Sequence, residues 1–236
     1  AFSGWFAELI RSDFYFLGIT MIRSSILLLI LVLPPFVQPI DAGVPDYDII
    51  VYGGTPGGIA ASLSAARLGK KVLLVEPTKL IGGMITNGLN HPDFRTFESH
   101  NGIYAEFNSR VLNYYSEKYG DDSPQVRDTF RGTHSEPKVA LAVFEQMLEE
   151  AKTIDVLTRT RMIAVNWKDA DQKTQIDSLQ LQTEDSQQRL VLSARLFIDA
   201  TYEGDLMAMA NVPYRVGRES KSEYKESLAP DTSDDN

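Results

Sequence analysis

Six residues, Gly53-Gly54-Thr55-Pro56-Gly57-Gly58, carry the densest chemical signal in this chain. Set against the dinucleotide fingerprint G-x-G-x-x-G, they read G-x-T-x-x-G when the first glycine is placed at Gly53. The first glycine of that fingerprint makes the turn out of a strand, the second lets backbone approach a pyrophosphate, and the third lets a helix pack on the sheet. Thr55 stands at the second position, so phosphate contact there rests on its backbone N–H, with the hydroxyl joining the same shell. A helix opening at 57–59 would aim its free N–H groups and its positive dipole end at the phosphates. Glu76 follows Gly53 by 23 residues. A carboxylate at that distance accepts hydrogen bonds from ribose hydroxyls and repels a 2′-phosphate. Removing it is expected to weaken a bound dinucleotide roughly tenfold or more without unfolding the domain, since bonds to a charged acceptor are worth about 1.5–3 kcal/mol each.

Other chemistry-bearing residues give weaker patterns. His91, His100 and His134 are the only histidines. His91 follows the Gly82-Gly83 pair closely, as a proton donor would, although a surface role explains it more simply. His134 precedes Ser135-Glu136-Pro137, where capping of a helix is the simpler reading. Asp93, Arg95 and Glu98 share one loop and read as solvated. Tyr104, Phe107, Tyr114, Tyr115 and Tyr119 have the spacing of a core face. There is no H-x-x-x-H pair and no G-x-S-x-G elbow, so neither a zinc-protease helix nor a serine-hydrolase turn is present. No catalytic residue is assigned.

The elements that must hold these residues follow from periodicity. Residues 48–52 form an apolar, β-branched run that reads as a buried parallel strand. An Ala-rich helix spans 59–68 and stops at Gly69. A second strand covers 72–75. Strand, glycine turn, helix and strand within about 30 residues make a right-handed βαβ unit. Helices are expected over 102–119 and over about 138–152, the latter with Pro137 in its first turn. The polar stretch 121–132 is expected to be irregular. Four β-like runs follow at 154–158, 161–167, 176–183 and 190–198, with hairpin turns at 169–175 and 184–189. A helix is expected from Gly204, and 219–236 reads as loop or disorder.

Composition bounds the rest. The chain has 236 residues, 43% of them hydrophobic, with 23 Lys and Arg against 32 Asp and Glu for a net charge of −9. That balance suits a globular protein with a sizeable core and makes a poor nucleic-acid binder, which needs clustered basic residues. The absence of cysteine excludes disulfides, thiolate zinc, iron–sulfur ligation and a cysteine nucleophile within these residues. Residues 21–42 have the layout of a secretory signal peptide: Arg23 in the n-region, an apolar run from Ile26 to about Val37, then Ala42 and Gly43. Pro34 and Pro35 shorten that run below a comfortable membrane span, which makes an uncleaved anchor the lesser alternative. Residues 1–20 precede Met21 and read as a non-native upstream extension, with a short amphipathic helix as the other reading. The expected location is periplasmic or extracellular, without stable membrane insertion after cleavage.

The segment DIIVYGGTPGGIAASLSAARLGKKVLLVE and the following LIGGMITNGL resemble the FAD-dependent oxidoreductases with a glutathione-reductase-like FAD domain. HSEPKVALAVFEQMLEEA, the β-rich run 154–198 and FIDATYEGDLMAMANVPYRVGRES extend the likeness over about 47–230. It is nearest to a subgroup related to heterodisulfide reductase and to proteins labelled xanthan lyase. The resemblance implies an α/β, Rossmann-like FAD-binding domain over 45–218, a parallel sheet carrying a β-meander. It implies that Gly53, Gly54, Thr55, Pro56, Gly57 and Gly58 line the FAD pyrophosphate and that Glu76 holds the adenosine ribose. Gly82, Gly83 and Met84 would pass the flavin side, where paired glycines permit close approach. Ala200 and Thr201 match the family's Ala-Thr-Gly strand end, Tyr202 departs from that Gly, and Gly204 and Asp205 match the turn that follows. The meander and the glycine pair favour FAD over the alternative of an NAD-binding reductase. Thr55 keeps open a second alternative, a non-catalytic exported binding protein that has lost flavin. The small-molecule substrate is expected to meet the flavin through a carboxyl-terminal domain beyond the present residues.

Overall fold

β1 (Tyr47–Tyr52), α1 (Pro56–Arg67) and β2 (Val72–Val75) form the βαβ unit, with β1 and β2 parallel and Ile49 opposite Val72. The structure is a computed structural model describing residues 45–89, 91–172 and 174–233. The upstream extension 1–20 and the signal segment 21–42 lie outside the described residues. Among the described residues, no helix is long and apolar enough to cross a membrane. The chain continues through the single turn α2 (Gly83–Thr86), then α3 (Gly102–Tyr119), α4 (Pro124–Asp128) and α5 (Pro137–Glu150). Four strands follow: β3 (Ile154–Leu157), β4 (Thr160–Trp167), β5 (Ile176–Thr183) and β6 (Arg189–Asp199). Two short helices close the described chain, α6 (Asp205–Met209) and α7 (Lys221–Tyr224).

The sheet runs β3-β2-β1-β6-β5-β4. β1, β2 and β3 are mutually parallel, and β4, β5 and β6 form an antiparallel meander. β6 belongs to both parts. Its first half pairs with β5, Ser193 opposite Ser178, and its second half pairs in parallel with β1, Ala194 opposite Tyr47 and Asp199 opposite Tyr52. The meander therefore grows out of the central sheet through one continuous strand.

Alternation along the strands explains the layering, because successive side chains point to opposite faces. Val51, Val72 and Leu74 face the helices and pack with Ile59 and Leu63 of α1, Phe107 and Val111 of α3, and Val143 and Phe144 of α5. Ile50, Tyr52, Leu73 and Val75 face the other way, onto Met162, Leu179 and Leu181 of the meander. β2 is buried on both faces at every position, as its unbroken apolar run requires. Each fully buried aliphatic side chain contributes about 1.5–3 kcal/mol. The Phe107 and Phe144 rings stack with centroids 4.3 Å apart, which locks α3 to α5.

Three elements differ from the sequence reading. α1 begins at Pro56 rather than at 59, because Thr55 caps it and Pro56 supplies a preset first turn. α4 occupies part of the stretch expected to be irregular; Ser123 caps it by accepting the Val126 N–H at 3.2 Å, and Pro124 follows. α7 lies in the expected polar tail, with Glu223 paired to Arg215.

Candidate functional site

A cleft of about 360 Å³ opens where β1, β2 and β6 end. In open α/β sheets the crevice beyond the carboxyl ends of the strands is where ligands bind. Each strand contributes one wall. Gly53 and Thr55 come from the turn after β1, Glu76, Pro77, Thr78 and Leu80 follow β2, and Thr201, Tyr202, Glu203 and Asp205 follow β6. Gly83 and Met84 of α2 and Asn87, which follows it, complete the lining. Of the residues expected from sequence, the structure thus brings Gly53, Thr55, Glu76, Gly83, Met84, Thr201 and Asp205 to one cleft. Gly54, Pro56, Gly57, Gly58, Gly82, Ala200 and Gly204 lie in the same turns and shape it without lining it.

The turn after β1 is built from close approaches. Gly53 has φ +107°, and a Cβ there would sit 2.6 Å from the Ala200 carbonyl carbon. A Cβ on Gly58 would overlap the Gly53 carbonyl oxygen and stand 3.1 Å from the Ala200 Cβ. This is the helix-to-strand contact that the third glycine of the fingerprint permits. At Gly57 the opposite holds: an added Cβ would meet only the Thr55 hydroxyl, at 3.6 Å. The backbone of Gly57 is bare toward open space.

Thr55 works harder locally than its place in the fingerprint indicates. Its hydroxyl donates to the Ala200 carbonyl at 2.8 Å and accepts the Gly58 N–H at 3.2 Å. The single hydroxyl proton is engaged with Ala200, just beyond β6, so any phosphate contact here falls to backbone N–H groups and not to the hydroxyl. The N–H groups of Thr55 and Gly57 have no partner among the described residues, and they stand at the positive end of a twelve-residue helix. Losing the cap and the link to Ala200 in Thr55→Ala is expected to lower stability by about 1–2 kcal/mol, whereas Thr55→Ser keeps both bonds and stays near wild type. Urea unfolding of the two variants measures the difference.

Glu76 is buried and serves the backbone on both sides. One carboxylate oxygen accepts the Gly54 N–H and the other the Thr78 N–H, each at 2.7 Å. A carboxylate has about four lone-pair positions, so two remain for ligand hydroxyls. Whatever it holds in the cleft, the same group ties the glycine turn to the end of β2.

The wall after β6 is organised by Asp199, which the sequence reading passed over. One of its oxygens accepts the Thr201 N–H and hydroxyl at 2.9 and 2.7 Å, and the other accepts the Met207 N–H at 2.8 Å. Thr201 in turn accepts the Gly204 and Asp205 N–H groups, both at 2.9 Å. An acid at a strand end directly before Ala200-Thr201 was the available signal. Burial, with the charges of Glu203 and Asp199, pushes the Asp205 carboxyl above its ordinary value. Among the described residues, no Lys or Arg lines the cleft, so donors for an anionic ligand are uncharged, backbone N–H groups above all.

The histidines lie elsewhere. His91 faces His134 with ring centroids 3.9 Å apart, beside Tyr115, Asp128 and Glu136 in a separate depression. It does not line the cleft. Burial, and secondarily His91, hold the His134 imidazole below its ordinary value. His134 does not cap α5; the cap position is Glu136, and the His134 ring stacks on Phe130 instead. His100 packs edge-on to Tyr104. Asp93, Arg95 and Glu98 are exposed. Phe107 and Tyr115 are buried as a core face requires, while Tyr119 is exposed.

Comparison with known proteins adds the family. The soluble pyridine nucleotide transhydrogenase of Mycobacterium tuberculosis is 45% identical over 42 residues, 18% of this chain and 9% of that protein. The match thus spans about a tenth of the length of such curated relatives. Among solved structures, AlpK superposes with a TM-score of 0.45 at 12% identity, covering 75% of this chain and 36% of that one. Thermovibrio ammonificans THI4 gives a TM-score of 0.43 at 16% identity, covering 79% and 75%. The model of the family described as FAD dependent oxidoreductase matches residues 48–234, which takes in the six strands apart from Tyr47 and the whole cleft, and the chain belongs to that family of FAD-using oxidoreductases.

Proposed function

We propose that this chain is the FAD-binding part of an exported oxidoreductase that moves hydride or electrons between a small-molecule substrate and FAD. The observation that carries the reading is the placement of the unpartnered Thr55 N–H and the Glu76 carboxylate in one cleft, with the unpartnered Gly57 N–H in the same turn. The first suits a pyrophosphate and the second suits ribose hydroxyls. The turn and the cleft fit the cofactor: Gly57, in the turn beside the cleft, leaves bare backbone that a side chain would cover, and Glu76, in the cleft, retains acceptor capacity. On this reading Thr55, Gly57 and Gly58 hold the pyrophosphate side, Glu76 the adenosine ribose, and Gly82–Met84 with Thr201 and Asp205 the flavin side. The isoalloxazine, when bound, supplies the electron chemistry. The chain's own residues bind it, orient it and keep a second phosphate off the ribose.

Two finer points belong to the same proposal. Export rests on the signal-like layout of 21–43. A carboxyl-terminal domain on the substrate side is supported by the apolar side chains left exposed after α6, notably Val212, Tyr214 and Val216. The test is the absorbance spectrum of the full-length protein purified from the periplasm or medium, with flavin counted after denaturation. About one flavin per chain is expected. A colourless protein that does not take up added FAD would move the reading to a flavin-free binding protein, and one found only in the cytoplasm would remove export.

A further inference from the structure

Tyr202 crosses the cleft. It leaves the carboxyl end of β6, and its hydroxyl accepts the Met84 N–H at 2.9 Å, joining positions 118 residues apart. Gly83 is fitted to this contact. Its φ is +52°, and a Cβ on it would overlap the Tyr202 hydroxyl and lie 3.0 and 3.2 Å from the ring atoms Cζ and Cε2. The ring thus lies directly against bare backbone, where no side chain fits between them.

The tyrosine is held at both ends. Its neighbour Thr201 is fixed to Asp199 by two hydrogen bonds and to Gly204 and Asp205 by two more. Its hydroxyl is fixed by Met84. Between these anchors the residue remains 54% exposed, and it lines the same cleft as Thr55 and Glu76. Such a ring buries too little to serve mainly as core. A rigid, amphipathic ring with one side on backbone and the other open to a cleft is the form that ligand-facing aromatics take.

We propose that Tyr202 is a cofactor-positioning residue: it pins the Gly82–Met84 turn to the end of β6 and so sets the width of the cleft along its flavin-side wall. This rests on the cleft being the FAD site. The role is distinct from phosphate or ribose binding, because the bond ends on Met84 and touches neither Thr55 nor Glu76. Losing it lets one wall drift while the wall that meets the adenosine half stays in place.

The experiment compares the full chain with Tyr202→Phe and Tyr202→Gly. Four quantities are measured: the dissociation constant for FAD, the dissociation constant for ADP, the absorbance spectrum of the bound flavin, and the melting temperature of the FAD-free protein. ADP carries only the half of the cofactor assigned to Thr55, Gly57 and Glu76. Tyr202→Phe, which keeps the ring and loses one hydrogen bond, is expected to weaken FAD about three- to tenfold. ADP affinity should not move, the melting temperature should fall by no more than about 2–4 °C, and the bound-flavin spectrum should shift. Tyr202→Gly should weaken FAD further, again without affecting ADP. FAD affinity and spectrum unchanged in both variants would overturn the proposal. So would equal losses for FAD and ADP, which mark a general structural role. Wild-type protein that binds ADP but no FAD would overturn the cofactor reading itself, and that result precedes any substitution.

Discussion

Gly58→Ala is expected to destabilise the FAD-free protein by about 3 kcal/mol, the upper end for an overpacked site, and to leave it without FAD. The new methyl group would overlap the Gly53 carbonyl oxygen. Neither partner can retreat. Gly53 is hydrogen-bonded to Val75 at 2.8 Å, and the Gly58 N–H is bound to Thr55, which is bound to Ala200. Relief requires α1 to lift from β1, which opens the core around Ile59 and Leu63 and moves the N–H groups that face the cleft. Gly58→Leu should give no folded protein. Gly57→Ala is the matched control: its Cβ has space, so it should fold normally and lose FAD affinity alone. Urea unfolding with flavin counting separates the cases. Wild-type stability and full flavin content in Gly58→Ala would show that the fingerprint is misregistered at Gly53.

Glu76→Ala is expected to cost about 2–4 kcal/mol of stability in the FAD-free protein, because two backbone N–H groups lose their acceptor in a buried place. A domain of ordinary stability, roughly 5–15 kcal/mol, survives this but melts earlier. FAD affinity should fall at least tenfold in the same variant. Glu76→Gln tests the division of labour, since its amide group can accept only one of the two N–H groups and turns donors toward the other. Urea midpoints and FAD titration on both variants give the answer. Unchanged FAD-free stability with weakened FAD would mean that the Gly54 and Thr78 N–H groups find other acceptors, leaving Glu76 a ribose ligand alone.

Much of this could be read from sequence because local periodicity reports it. The β1 and β2 runs alternate between two buried faces, α3 ends on Gly120, and α5 begins at Pro137, so their bounds follow from residue type. α4 and α7 were hidden because five- and four-residue helices are too short to show a period; the signal for α4 is a serine cap followed by a proline, and α7 carries neither a side-chain cap bond nor a proline. The start of α1 was masked by the glycines around Thr55-Pro56. The site divides in the same way. Gly53, Gly58 and Glu76 are fixed by a short-range fingerprint. The bonds Thr55–Ala200 and Tyr202–Met84 join residues more than a hundred positions apart, and no local pattern announces them. His134 shows the reverse error: its neighbours read as a helix start, while its ring belongs to a contact with His91 set by tertiary packing.

The continuity of β6 also governs when this protein can assemble. β1 lies at the centre of the sheet, yet one of its edges waits for a strand that leaves the ribosome long after it: Asp46 and Ser193, which bond across this junction, are 147 residues apart. β1, α1 and β2 can pair as soon as they emerge, leaving the other edge of β1 open throughout synthesis of the helical middle and the meander. An unpaired edge of this apolar composition is a template for pairing with other chains. Contacts of such separation also form slowly. Only when residues 194–205 arrive are the edge sealed and the third wall of the cleft supplied. Capture of the cofactor is therefore a late step in the life of the nascent chain, and a chaperone that shields β1 would act in the interval before it.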